Sequence, residues 1–192
     1  MKVLGIVGSP RKNGNTDIIM DIFLSHFSDQ GLDTIKIHLG EKEVKPCDEC
    51  LTCKQTKDCH LRKDDFKEIF SEMLSSDAII FSSPVFFGSA PAQMSALMDR
   101  AGYLGTAMNR PFEKKVGGAI VTGRRAGHNF TFMQLLHFFL YHGMIVPGST
   151  YWNIVHGRDP GDVLQDKEGL DTVHNFASNL QWLLMKLKQE EK

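Results

Sequence analysis

"KVLGIVGSPRKNGNT", residues 2–16, decides the fold: a short β-rich apolar run turns at a glycine, crosses a polar loop and enters a helix. Residues 2–8 read as a buried strand and residues 16–27 carry helical apolar spacing. The loop between them, "GSPRKNGNT" (8–16), is nine residues long, more than a bare strand-to-helix connection usually needs. Its backbone N–H groups and the side chains of Ser9, Asn13, Asn15 and Thr16 converge on a helix N-terminus, with Arg11 or Lys12 adding positive charge. That combination suits an anion. An ordinary capped turn is the plainer reading, since Asn15 and Thr16 are both good caps.

Working outward, strands and helices alternate. "DTIKIHL" (33–39) reads as a half-buried or edge strand, and 64–76 as a helix with Phe66, Ile69, Phe70, Met73 and Leu74 on one face. Residues 77–84 form a third strand, 91–103 a helix, and 114–123 a fourth strand. A helix at 129–142, a short fifth strand in "MIVPGS" (144–149) and a long helix at 169–188 complete the order. Such alternation predicts a parallel sheet with helices on both faces, and a ligand site beyond the carboxyl ends of its strands. The helix at 129–142 is apolar nearly all round, so its outer face is expected to meet another subunit; complete burial in its own chain is the alternative.

Composition bounds the function. The 192 residues are 42% hydrophobic and 23% charged, with a net charge of -1. That balance gives no electrostatic reason for nucleic acid or an anionic membrane as partner. No stretch approaches the roughly 18–20 apolar residues of a membrane span, and the first strand is too short for a signal peptide. A cytoplasmic chain with one domain over 1–192 is expected. Two nucleotide motifs are excluded: Gly8 and Gly14 enclose five residues where Walker A needs four, and no G-x-G-x-x-G is present. The loop therefore fits a terminal phosphate better than a triphosphate.

"GSPRKNGNT" resembles the phosphate loop of the NAD(P)H-dependent FMN reductase family, and "SSPVFFGSAPAQMSALMDR" (82–100) resembles that family's second flavin loop, with its closing Asp-Arg pair. The resemblance implies an α/β flavodoxin-like three-layer sandwich, with a five-stranded parallel sheet in the order 2-1-3-4-5. It implies FMN as cofactor, with Ser9, Arg11, Asn13, Asn15 and Thr16 at the phosphate, and NAD(P)H as a possible donor. Pro84, Val85, Phe86, Phe87, Gly88 and Ser89 can offer backbone groups and apolar walls to a flat ring, although one of the two phenylalanines reads equally as core. "TGRRAGHN" (122–129) should close the other side, through Thr122, Gly123, Arg124 and Gly127. His128 reads as a helix cap or surface residue, with proton donation as the alternative.

All four cysteines of the chain fall in "CDECLTCKQTKDC" (47–59), within a loop at about 46–62. Structural zinc usually takes two separated pairs, disulfides suit small secreted domains, and a thiol pair leaves two cysteines unexplained. Cys47, Cys50 and Cys53 have the spacing that bacterial ferredoxins use for three ligands, and Cys59 follows as a fourth. This run is similar to that of the iron–sulfur flavoproteins, a branch of the same family, and so implies a [4Fe–4S] cluster. The expectation is a homodimeric or homotetrameric oxidoreductase that passes electrons from ferredoxin or NAD(P)H to a quinone, oxygen species or similar acceptor. The alternatives are a cluster-free FMN, quinone or nitro reductase, and a non-enzymatic flavin- or metal-binding redox sensor.

Overall fold

The structure, a computed structural model, describes residues 1–59 and 63–190. Residues 60–62, the end of the expected cysteine loop, lie outside the described residues. Five parallel strands form one sheet in the order β2-β1-β3-β4-β5, with β1 at Lys2–Val7, β2 at Asp33–His38, β3 at Ala78–Pro84, β4 at Val116–Gly123 and β5 at Ile154–His156. Val3 pairs with Thr34 on one side and Ala78 on the other, which fixes β1 near the sheet centre. Both faces are covered, which is why β1 reads as a continuous apolar run rather than an alternating one.

The alternation is still present in where its side chains go. Leu4 and Ile6 point into a core shared with α3 (Phe66–Ser75), α4 (Ala92–Ala107) and α5 (His128–Tyr141). Val3 and Val7 point the other way, into a core with α1 (Asn15–Ser28) and α6 (Lys167–Glu190). The α1–α6 layer is clamped by Phe23, fully buried and stacked on Phe176 at 5.3 Å between ring centroids. Truncating Phe23 to Ala should cost about 3–5 kcal/mol. Four-residue α2 (Cys53–Thr56) lies inside the cysteine run, where a loop was expected.

The fifth strand corrects the sequence reading. Ile145 only touches β4 through an isolated bridge to Val116, and the pairing then stops. Pro147 has no N–H for a ladder, and Gly148 follows it. The chain returns to β4 at Ile154–His156, with Val121 opposite Ile154. α5 is also corrected from an all-buried alternative. Phe132, Leu135, Phe138 and Phe139 are buried, while Phe130, Met133, Leu140 and Tyr141 are exposed.

Candidate functional site

The carboxyl ends of β1, β3 and β4 open onto a cleft of ≈ 230 Å³. The first loop lines it with Ser9, Arg11, Gly14, Asn15 and Thr16, the third with Pro84, Val85 and Phe86, and the fourth with Thr122, Gly123 and Arg124. Ten of the residues expected at a flavin site are thus brought together in one wall. Pro10, Gly14, Gly157 and Arg158 join them and were not among the expected residues. With β5 at 154–156, "GRDPG" becomes another loop at the same sheet edge, so the misplaced strand hid these two residues. Gly157 is needed for close approach: a Cβ there would lie 2.7 Å from Asn15 Nδ2 and 2.9 Å from the Val163 backbone nitrogen.

Three arginines and no carboxylate line the cleft. Asp17 and Ile18 both direct their N–H to the Gly14 carbonyl, whereas those of Gly14, Asn15 and Thr16 have no acceptor among the described residues. These are the donors that the first turn of a helix leaves free, and they favour negative charge. Asp17 stands behind the loop, where its carboxylate accepts from Asn13 N–H at 2.9 Å and from Lys36 Nζ at 2.7 Å. Burial pushes the Asp17 carboxyl up, but Lys36 and the Asn13 N–H outweigh it and leave it below the usual range. Its charge is therefore spent on bracing the loop.

Several side chains are already engaged within the chain. Ser9 Oγ accepts from Arg11 N–H at 3.0 Å, Thr16 Oγ1 lies 2.6 Å from Thr122 Oγ1, and Asn15 Oδ1 accepts from Gly161 N–H at 2.8 Å. Asn13 is exposed and outside the cleft lining, in the left-handed region at φ 55°. Phe87, Gly88, Ser89 and Gly127 lie outside the cleft lining. Neither phenylalanine is core: Phe86 is 48% exposed and Phe87 fully exposed, at the tip of a tight turn in which Phe86 and Ser89 bond each other. His128 is not on the surface either. It is buried as the first residue of α5, its ring 4.6 Å from that of His156, and burial holds its imidazole below the ordinary range.

The four cysteines line a second cavity, walled on its other side by Arg100, Tyr103 and Leu104 of α4. Glu49, Leu51 and Lys57 all take left-handed backbone, at φ 55°, 56° and 56°, and fold the run into a cup. Each such non-glycine residue costs of order 1–3 kcal/mol, so this shape is held from outside. Cys47 Sγ accepts from Glu49 N–H at 3.4 Å, and Cys59 Sγ accepts from Arg100 Nη2 at 3.4 Å. Burial, followed by the other three sulfurs, pushes the Cys53 thiol up. Among the described residues no three His, Cys, Asp or Glu side chains converge closely enough to hold a single metal ion.

A family model, NADPH-dependent FMN reductase, matches residues 1–159. The chain belongs to this family. An iron–sulfur flavoprotein of Methanocaldococcus jannaschii is 38% identical over 196 residues, covering 98% of this chain and 100% of the relative. Another, from Methanosarcina thermophila, is 35% identical over 94% of this chain and 93% of its own. Within the family the chain therefore sits in the iron–sulfur flavoprotein branch, as a flavin-dependent oxidoreductase. Solved structures agree on the fold. RosB, solved with 8-demethyl-8-formylriboflavin-5'-phosphate, superposes with a TM-score of 0.74 at 14% identity, over 98% of this chain and 81% of its own. An archaeal flavodoxin gives 0.57 at 16% identity, over 93% and 99%. No helix of the described residues is long and apolar enough to cross a membrane.

Proposed function

We propose that this oxidoreductase holds FMN in the arginine-lined cleft and one [4Fe–4S] cluster on Cys47, Cys50, Cys53 and Cys59, and passes electrons from ferredoxin or NAD(P)H to a small acceptor such as a quinone or oxygen species. One observation carries the reading: the only four cysteines of the chain line one cavity, closed by Arg100, Tyr103 and Leu104 of α4. The corners of a cube are separate irons, so thiolates that hold one should ring a cavity, whereas those of a zinc site meet at one ion. When bound, FMN supplies one- or two-electron chemistry and the cluster one-electron exchange.

The chain's own groups then bind and orient. The free N–H groups of Gly14, Asn15 and Thr16, with Ser9 and Arg11, take the phosphate. Pro84, Val85 and Phe86, beside Thr122, Gly123 and Arg124 on the neighbouring strand end, would line the ring's site, with Phe87, Gly88, Ser89 and Gly127 near its rim. Asn13 contributes by bracing Asp17 rather than by touching the ligand. No side chain has to act as nucleophile or general base. The exposed Phe130, Met133, Leu140 and Tyr141 on α5 support a homodimer or homotetramer. A cytoplasmic setting, where thiols stay reduced, suits cysteines that hold a cluster.

Iron and acid-labile sulfide analysis of anaerobically purified protein tests the reading, with about four of each expected per chain. Flavin without iron or sulfide, after strictly anaerobic reconstitution, would replace it with a cluster-free NAD(P)H reductase.

A further inference from the structure

Arg100 ends the segment that resembles a flavin loop, yet its side chain is at the cysteines. It is 2% exposed, and its guanidinium carbon lies 4.1 Å from the centroid of the Phe66 ring. Nη1 donates to the Asp64 carboxylate and to the Lys45 carbonyl at 3.3 Å, and Nη2 donates to Cys59 Sγ at 3.4 Å. A buried guanidinium needs a partner, and Asp64 supplies one. The second nitrogen is nevertheless aimed at sulfur, and Nε is left without a partner among the described residues. Asp64 is fixed in turn by the N–H groups of Lys45 at 2.9 Å and Phe66 at 3.3 Å. The guanidinium is thus held rigidly from three sides against one cysteine. Among the described residues, Cys59 alone of the four accepts from a charged donor; Cys47 receives only a backbone N–H.

We propose that Arg100 is a positioning residue for the cluster: it fixes Cys59 and places a permanent positive charge at that corner, so that one-electron reduction, which adds one negative charge, is favoured there. Asp64 opposes this field from one guanidinium further away. Hydrogen bonds and net charge around the sulfurs are the levers that set such potentials. This rests on the cluster reading above, and goes beyond it by naming the residue that sets the potential and the sign of its effect.

The test is an anaerobic spectroelectrochemical titration of the loaded protein and three variants, with iron, sulfide and thermal midpoint recorded for each. Asp64→Asn keeps the guanidinium and removes its counter-charge, so the cluster potential should rise. Arg100→Met combined with Asp64→Asn removes both charges and leaves no lone buried ion. Its potential should fall, by about tenfold in the reduction equilibrium, which is about 59 mV for one electron. Arg100→Lys keeps a charge but cannot hold Asp64 and reach the Cys59 sulfur with a planar fork, and should fall by less. The flavin potential, as internal reference, should stay put. A merely structural arginine would change thermal midpoints and leave potentials unmoved, or move them all in one direction; either result overturns the proposal. Should the double variant fail to load, the opposite shifts expected of Asp64→Asn and Arg100→Lys decide. Wild-type protein without a cluster sinks both readings together, whereas a loaded wild type with unmoved potentials sinks only this one.

Discussion

The two cavities are built in opposite ways. The arginine-lined cleft is framed by the ends of three strands, and its loops are tied by the chain's own hydrogen bonds, Thr16 to Thr122 and Asn15 to Gly161. The cysteine cup has one four-residue helix, three left-handed non-glycine residues and one exposed cysteine, Cys50. One is a consequence of the fold; the other is an irregular segment leaning on Arg100 and α4. Sites of the first kind should survive without their ligand, and sites of the second kind should depend on theirs.

Breaking the cup gives the largest expected effect. Replacing any one of Cys47, Cys50, Cys53 or Cys59 with Ala should remove or degrade the cluster, read as lost iron and sulfide, while FMN affinity changes less than about twofold, well under 1 kcal/mol. Two silent substitutions among the four would indicate a thiol pair instead of a cluster. Next comes the seam behind α4. His142 is fully buried against Gly102 and Gly105 of α4, among the rings of Phe112, Phe138 and Tyr141, with neither ring nitrogen hydrogen-bonded among the described residues. Burial, with Arg110 adding to it, lowers its imidazole to about 4. The unfolded chain then binds the proton first. Stability is complete above about pH 6.5 and falls as pH drops through 6.5 toward 4, by roughly 3 kcal/mol at most. Urea unfolding at pH 7 and pH 5 should show this slope in the wild type and a flatter one in His142→Leu. Equal slopes would remove His142 from the account.

The same contrast explains what could be read in the sequence. "KVLGIVGSPRKNGNT" is legible because strand, turn and helix are local and each announces itself by apolar spacing and glycine. The four cysteines are legible because they are neighbours. Arg100 was not, because it meets Cys59 and Asp64 across 41 and 36 residues, and its surroundings in sequence look like the end of a flavin loop. Arg158 and Gly157 were missed for another reason. The apolar Met144, Ile145 and Val146 placed the fifth strand too early, so "GRDPG" did not register as a loop at the sheet edge. His128 lacked any sequence sign that its ring would turn inward beside His156.

A smaller effect is expected at the rim of the cleft. Gly127 has φ +90°, and a Cβ there would meet Val85 Cγ1 at 2.7 Å. Gly127→Val should strain this turn by about 1–3 kcal/mol and push Val85 into the cleft. If that strain falls wholly on the bound state, FMN affinity drops by roughly one to two decades, measured by flavin fluorescence titration. Iron content should hold. Iron falling in step with flavin would mean that the two cavities are one cooperative unit.

The smallest effect separates side-chain from backbone binding within the cleft. Thr16 and Thr122 are both buried and their hydroxyl oxygens are 2.6 Å apart, so one donates to the other. The remaining hydroxyl proton is then the only one the pair can offer to a phosphate. Thr16→Val should remove that chain while leaving the N–H groups of Gly14, Asn15 and Thr16 in place. A hydrogen bond to a charged acceptor is worth about 1.5–3 kcal/mol. The low end is expected here, because those N–H groups carry most of the charge, so FMN affinity should fall about tenfold. Thr122→Val should cost nearly as much as Thr16→Val, and the double variant little more than either, since residues that act as a pair are not additive. Thr16→Ser, which keeps the hydroxyl, should recover most of the loss. Strict additivity would mean that each hydroxyl reaches the ligand by itself. An unchanged affinity in the double variant would take the phosphate away from this edge of the cleft.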